Sequence, residues 1–129
     1  MKLKVIADSS FLMIPGLFRV DIKRELERIL ELDYEIVVPQ PVALELERIS
    51  KEGAPKERAT ASIGLQLAKD GKVIEIGKIA DEAIVELASR GNAVVATTDM
   101  ALRKRLRAKG VPVIYLRQKS HLALDGEVR

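Results

Sequence analysis

Four carboxylates, Asp8, Glu45, Asp81 and Asp99, occupy positions from which an alternating strand–helix fold would bring them to one place. Asp8 ends the run Lys2-Leu3-Lys4-Val5-Ile6-Ala7, and Asp99 ends Ala93-Val94-Val95-Ala96-Thr97-Thr98. The second run is continuously apolar and β-branched at its centre, the pattern of a strand buried on both faces; the first reads as a strand too. Glu45 lies three residues after Val42 and four before Ile49, inside the apolar stripe of a helical stretch. Asp81 precedes Ile84 by three, in the first turn of another. Each acid has a local reading: Asp8 and Asp99 as helix caps, Asp81 as a partner of the helix dipole, Glu45 as half of a rim salt bridge. They also share one reading. The strands of a parallel sheet end along one edge, and four acids gathered there repel one another unless a cation lies among them. Hard oxygen donors suit one or two Mg²⁺ or Mn²⁺ ions, and the chemistry such ions support is hydrolysis.

Composition removes the main competitors. The chain has no cysteine, which excludes disulfides, thiol nucleophiles and zinc–thiolate sites. Its one histidine, His121, lies in a polar C-terminal stretch, so a serine–histidine–acid triad is hard to build. The eight glycines are scattered and form neither GxGxxG nor a P-loop. A phosphatase with aspartates two apart would need an acid at Ser10, and a receiver domain would need paired acids and a closing lysine. At 129 residues one domain is expected. No run approaches the ~18 apolar residues of a membrane span, and the early Asp8 is unlike a signal peptide, so a soluble cytoplasmic protein is expected. Charged residues at 32% with a single asparagine suggest a thermophilic source.

The elements that must position the acids follow in order. Strands are expected at residues 2–8, 35–38, 72–76, 93–99 and 111–116, and helices at 20–32, 42–51, 56–69, 79–90 and 100–109. A short helical stretch after Ser9 is interrupted by Pro15-Gly16. This alternation predicts an α/β fold, a short parallel sheet with helices on both faces, over residues 1–117. Residues 118–129 carry mixed charge with little periodicity and are expected to form a loosely held tail. The net charge of +3 is uneven: residues 100–119 hold seven Lys or Arg and no acid. That run reads either as a solvated face or as a phosphate-binding footprint. Arg103 and Arg107, four apart, share a helix face and are the candidate phosphate contacts. Only four aromatic residues exist, so base stacking is expected to be slight.

The strand ending in Asp8-Ser9-Ser10-Phe11-Leu12, then Val38-Pro39-Gln40-Pro41-Val42-Ala43-Leu44-Glu45-Leu46, then Asp81-Glu82-Ala83-Ile84, then Ala96-Thr97-Thr98-Asp99 together resemble the PIN domain. The order and residue types match across roughly the first 117 residues. The resemblance implies a metal-dependent endoribonuclease that cleaves single-stranded RNA to 5′-phosphate and 3′-hydroxyl ends. Asp8, Glu45, Asp81 and Asp99 would be its metal-site acids and Ser10 and Thr97 the groups that orient them. PIN domains include VapC-type toxins, each silenced by an antitoxin protein, and nucleases that process ribosomal RNA precursors; residues 99–115 look closer to the processing branch. Candidate partners are therefore RNA, an antitoxin and further copies of the chain. Many relatives carry another acid just after the last aspartate, where this chain has Met100-Ala101-Leu102, which weighs against a second tightly held metal. The rival reading is a catalytically idle PIN-like scaffold.

Overall fold

Val5 and Ile6, fully buried at the centre of the first strand, set the middle of a six-stranded sheet in the computed structural model, which describes residues 2–128. The elements run β1 (Leu3–Ala7), α1 (Ser9–Leu12), α2 (Ile14–Phe18), α3 (Ile22–Leu30), β2 (Tyr34–Pro39), α4 (Gln40–Glu52), α5 (Pro55–Asp70), β3 (Lys72–Ile74), α6 (Ala80–Ser89), β4 (Ala93–Ala96), α7 (Met100–Ala108), β5 (Val113–Arg117) and β6 (His121–Asp125). The sheet order is β3-β2-β1-β4-β5-β6. The first five strands are parallel, with Val5 opposite Ile36 on one side and Val94 on the other. Continuous apolar strands suit this arrangement because helices cover the sheet.

The order has a mechanical consequence for the acids. The chain leaves β1 toward β2 and β3, then crosses back to β4 and β5 on the far side of β1. The C-terminal ends of β1 and β4 are thus neighbours between connections that diverge, which opens a crevice at that point. Ala7 pairs with Ala96, so the residues that follow, Asp8 and Thr97 to Asp99, emerge side by side.

The helices hold this edge in place. Ile22, Leu26 and Leu30 form the buried stripe of α3, started by Asp21, whose carboxylate accepts the Arg24 N–H at 3.2 Å. Gly64 lets α5 press against α1: a Cβ there would lie 2.8 Å from the Leu12 carbonyl oxygen. The short α1 is seated by that approach, with Phe11 and Leu12 fully buried. No helix among the described residues is long and apolar enough to cross a membrane.

One expectation is corrected here. The loosely held tail is instead a strand: β6 pairs antiparallel with β5, and Leu122 is fully buried. The Glu25 carboxylate accepts the Leu122 N–H at 2.9 Å, and Arg28 donates to the Leu122 carbonyl at 2.7 Å. Leu122-Ala123-Leu124 is too short a run for its period to register in the sequence. The basic face of α7 meets partners within the chain. Arg103 Nε donates to Asp125 at 2.9 Å, Arg107 Nε donates to its other oxygen at 3.1 Å, and Arg107 reaches the Val111 carbonyl. Arg103 also lies over the Tyr115 ring, 3.7 Å from its centroid. These two arginines fasten β6 and β5 to α7 rather than facing solvent. Spacing within a helix reveals which residues share a face but not what that face meets.

Arg103, with help from Arg107, holds the Asp125 carboxyl below its ordinary range. A depressed pKa means stability that is present at neutral pH and lost as pH falls below 3.8 through the folded-state value. Asp125→Ala is therefore expected to cost about 1 kcal/mol at pH 7, since the pairs are partly exposed. The gap from wild type should close in acid. Urea unfolding at both pH values measures this; equal stability at pH 7 would show that β6 is held without these pairs.

Candidate active site

Asp8 is the buried member of the acid set, 8% exposed, at the end of β1. Its Oδ1 caps α1 by accepting the Phe11 N–H at 2.9 Å and also accepts the Ser10 hydroxyl at 2.6 Å. Its Oδ2 accepts a hydrogen bond from the Thr97 hydroxyl. Each hydroxyl gives its single proton to Asp8 and receives a backbone N–H in return. Ser10 Oγ accepts from Thr98 N–H and Thr97 Oγ1 from Asp99 N–H, both at 3.0 Å. The end of β1, the start of α1 and the loop after β4 are thereby tied into one network. All buried side-chain polar atoms among the described residues are satisfied.

Asp99 is the N-cap of α7, accepting from Ala101 N–H at 2.9 Å and Leu102 N–H at 3.1 Å through Oδ1 alone. Its other oxygen has no partner among the described residues. Glu45, half-buried on α4, reaches the same edge, with Ser9 donating to its Oε2 at 3.3 Å. Asp81 stands apart: it is exposed in the first turn of α6, and Arg105 feels its charge. Arg105 itself forms a two-pronged pair with the neighbouring Glu82, at 2.7 and 2.9 Å. The structure thus links Asp8 to Asp99 through Thr97 and brings Glu45 alongside through Ser9. It does not draw Asp81 into that network, and no three acidic or histidine side chains among the described residues form a cage ready to hold a metal ion. Asp81 is exposed on its helix, because Ala83, Ile84, Leu87 and Ala88 face the core.

Burial drives the Asp8 pKa up, and the charge of Asp99 pushes it the same way, while the Ser10, Thr97 and Phe11 donors pull it down; the net shift is upward. A carboxylate with about four lone-pair sites that receives three protein donors keeps one open, on Oδ2. An open site on Asp8, an unpartnered oxygen on Asp99 and a raised Asp8 pKa are what a hard cation would satisfy. Mg²⁺ in particular uses one or two carboxylates and keeps several waters, so it needs no closed protein cage. The donor set fits such an ion.

Sequence reasoning missed Ser9, whose hydroxyl positions Glu45, and the backbone N–H groups of Thr98 and Asp99, which fix the orienting hydroxyls. The Asp8-Ser9-Ser10 run carried a signal for the first; nothing in residue type reveals the others.

The raised Asp8 pKa carries a sign. The folded protein binds a proton more tightly than the unfolded chain, so this group's contribution is fully present below 3.8 and is lost as pH rises through the folded-state value. With divalent ions removed, Asp8→Asn is therefore expected to raise the Tm at pH 7.5 and to confer no gain below pH 3.8. The amide keeps the Phe11 and Ser10 bonds, and the Thr97 hydroxyl can turn to accept. Scanning calorimetry in chelator measures both; a lower Tm for the variant at neutral pH would show that the ionised carboxylate stabilises the fold.

Comparisons with known proteins identify the family of the chain. A family model described as a PIN like domain matches residues 5–119. Ribonuclease VapC4 of Methanocaldococcus jannaschii is 33% identical over 129 aligned residues, which cover 97% of this chain and 98% of the relative. Ribonuclease VapC9 of Archaeoglobus fulgidus is 24% identical over 121 residues, covering 93% and 87%. Among solved structures, the PIN domain endonuclease Utp24 superposes with a TM-score of 0.76 at 25% identity, over 97% of this chain and 92% of that one. A domain of a functionally unknown protein from M. jannaschii shares the fold, with a TM-score of 0.58 at 22% identity over 98% and 96%. The chain belongs to the PIN-like domain family.

Proposed function

We propose that this protein is a metal-dependent endoribonuclease that cleaves single-stranded RNA, leaving 5′-phosphate and 3′-hydroxyl ends. The observation that carries the reading is the Asp8–Thr97–Asp99 network: two acids at adjacent strand ends, Asp8 with a lone pair and Asp99 with an oxygen left open, at the crevice of the sheet. Asp8 and Asp99 would hold Mg²⁺ or Mn²⁺, with Glu45 completing the site from α4 and Asp81 contributing from the rim. Such an ion polarises a phosphoryl oxygen and lowers the pKa of water beside it. Ser10 and Thr97 hold the Asp8 carboxylate in one orientation, with their protons directed at it. Glu45, steadied by Ser9, is the carboxylate left to take up a proton at its Oε1. The names of the two ribonuclease relatives and of the endonuclease neighbour support the same activity.

The backbone of the RNA needs cations at this edge; Arg103 and Arg107 on α7 are candidates that already pair with Asp125. Arg117 and Lys119, around the turn that follows β5, are exposed and have no ion-pair partner among the described residues. Because β5 runs parallel to β4, that turn lies on the same edge as Asp99. These two residues are the phosphate contacts of this reading. Partners would be RNA and, in a toxin-type role, an antitoxin protein, with self-association of the chain in either role.

A 5′-labelled single-stranded RNA tests the proposal. Cleavage should require Mg²⁺ or Mn²⁺, stop with EDTA, and fall by at least ~10²-fold in Asp8→Asn or Asp99→Asn. Undiminished cleavage by both variants, or cleavage in chelator, would assign the activity to another mechanism.

A further inference from the structure

An apolar cavity of about 390 Å³ is lined by Ser10, which donates to Asp8, and by Thr98 and Met100, the neighbours of Asp99 in the chain. Its walls include Met13 and Phe18 from the α1–α2 corner, Met100 from the first turn of α7 and Tyr115 from β5. Ser10 and Thr98 form its polar side. We propose that this cavity receives an unpaired nucleobase of the RNA next to the cleaved phosphate, an inference that rests on the nuclease reading for its substrate.

Three independent features select that occupant. The first is continuity. Ser10 donates to Asp8 and accepts from Thr98, and Met100 follows Asp99 directly, so the cavity and the acid pair share a wall. A phosphate held at the acids would place its own or its neighbour's base at the mouth.

The second is chemistry. The chain has four aromatic residues; Phe11 is fully buried, whereas Phe18 and Tyr115 both line this cavity. The Tyr115 ring is held on one face by the Arg103 guanidinium, which is itself anchored by Asp125, so the ring is fixed before any ligand arrives. Rings and polarisable thioethers pack on the face of any base. The Thr98 hydroxyl makes no hydrogen bond among the described residues and is exposed, so it is free to meet a base edge.

The third is accessibility. Met100 is 59% exposed and Leu17, also on the wall, 48%. Apolar surface left open beside a polar catalytic edge marks a binding site rather than a core. The volume lies within the range of small-ligand pockets. The exposed cations Arg117 and Lys119 follow the Tyr115–Leu116 wall and suit a ligand that carries phosphates. A partner protein's apolar side chain would use the walls but not those cations.

Methyl NMR of the full chain labelled at methionine tests this without turnover, because Met13 and Met100 report from opposite walls. Adenosine 5′-monophosphate and ribose 5-phosphate are titrated in Mg²⁺, the second lacking only the base. The two methyls should shift with the nucleotide and stay still with the sugar phosphate. Tyr115→Leu should weaken the nucleotide by at least ~5-fold and leave the sugar phosphate unaffected, as loss of one stacking partner does. The exposed Met100→Ala, which threatens no core packing, should weaken it in the same sense, read at Met13. Methyls unmoved by high-millimolar nucleotide, or moved equally by both probes, would overturn the base site. RNA cleavage by the same sample separates the two claims. Shifting methyls without cleavage would remove the nuclease and leave the base pocket; cleavage with still methyls would remove the pocket alone.

Discussion

The buried carboxylate of Asp8 is the constraint around which the acid-bearing edge of the sheet is built. Taking an ionised acid out of water is costly unless donors meet it, and here three do: the Phe11 N–H, the Ser10 hydroxyl and the Thr97 hydroxyl. Two of the donors belong to α1 and the third follows β4, so satisfying one charge fixes the start of α1 against the end of β4. Thr97 then holds the Asp99 N–H, and Asp99 in turn starts α7. The geometry of the acid pair is a by-product of solving a burial problem. Asp99 presses the Asp8 pKa further upward, an unfavourable juxtaposition that no packing requirement explains and that a cation would relieve. Strain of this kind clusters where a protein functions.

The sequence revealed this edge because the signals there are local. A buried strand ending in an acid, followed at once by a helix, can be read twice in the chain, at Asp8 and at Asp99, and the alternation of elements requires the two ends to lie on one side of the sheet. Glu45 was legible from its place within an apolar stripe. Ser10 and Thr97 came from the family resemblance, since no periodicity distinguishes a hydroxyl that faces a carboxylate from one that faces water.

What escaped the sequence depends on distant partners. Residues 118–129 read as a tail because Leu122 becomes buried only against β5 and α3, and its pairing to Glu25 spans 97 positions. Arg103 and Arg107 read as a phosphate face because their partner, Asp125, lies in the segment taken to be loose. One missed strand thus hid both sets of contacts. Asp81 was placed over the buried face by its distance from Ile84, whereas the true stripe of α6 runs through Ala83, Ile84, Leu87 and Ala88 and turns it to solvent. The few aromatic residues suggested little stacking, yet two of the four meet at the cavity beside the acids; composition counts residues and says nothing of where they gather.

The central claim is that Asp8 and Asp99, held by their shared threonine, form the cation site. Anomalous scattering from a crystal soaked in Mn²⁺ tests it most directly. The account predicts one peak within ~2.0–2.6 Å of carboxylate oxygens from both Asp8 and Asp99, the distances of hard-cation coordination. Manganese bound only at the Asp81–Glu82 rim, or absent from the Asp8–Asp99 pair at saturating concentration, would contradict it.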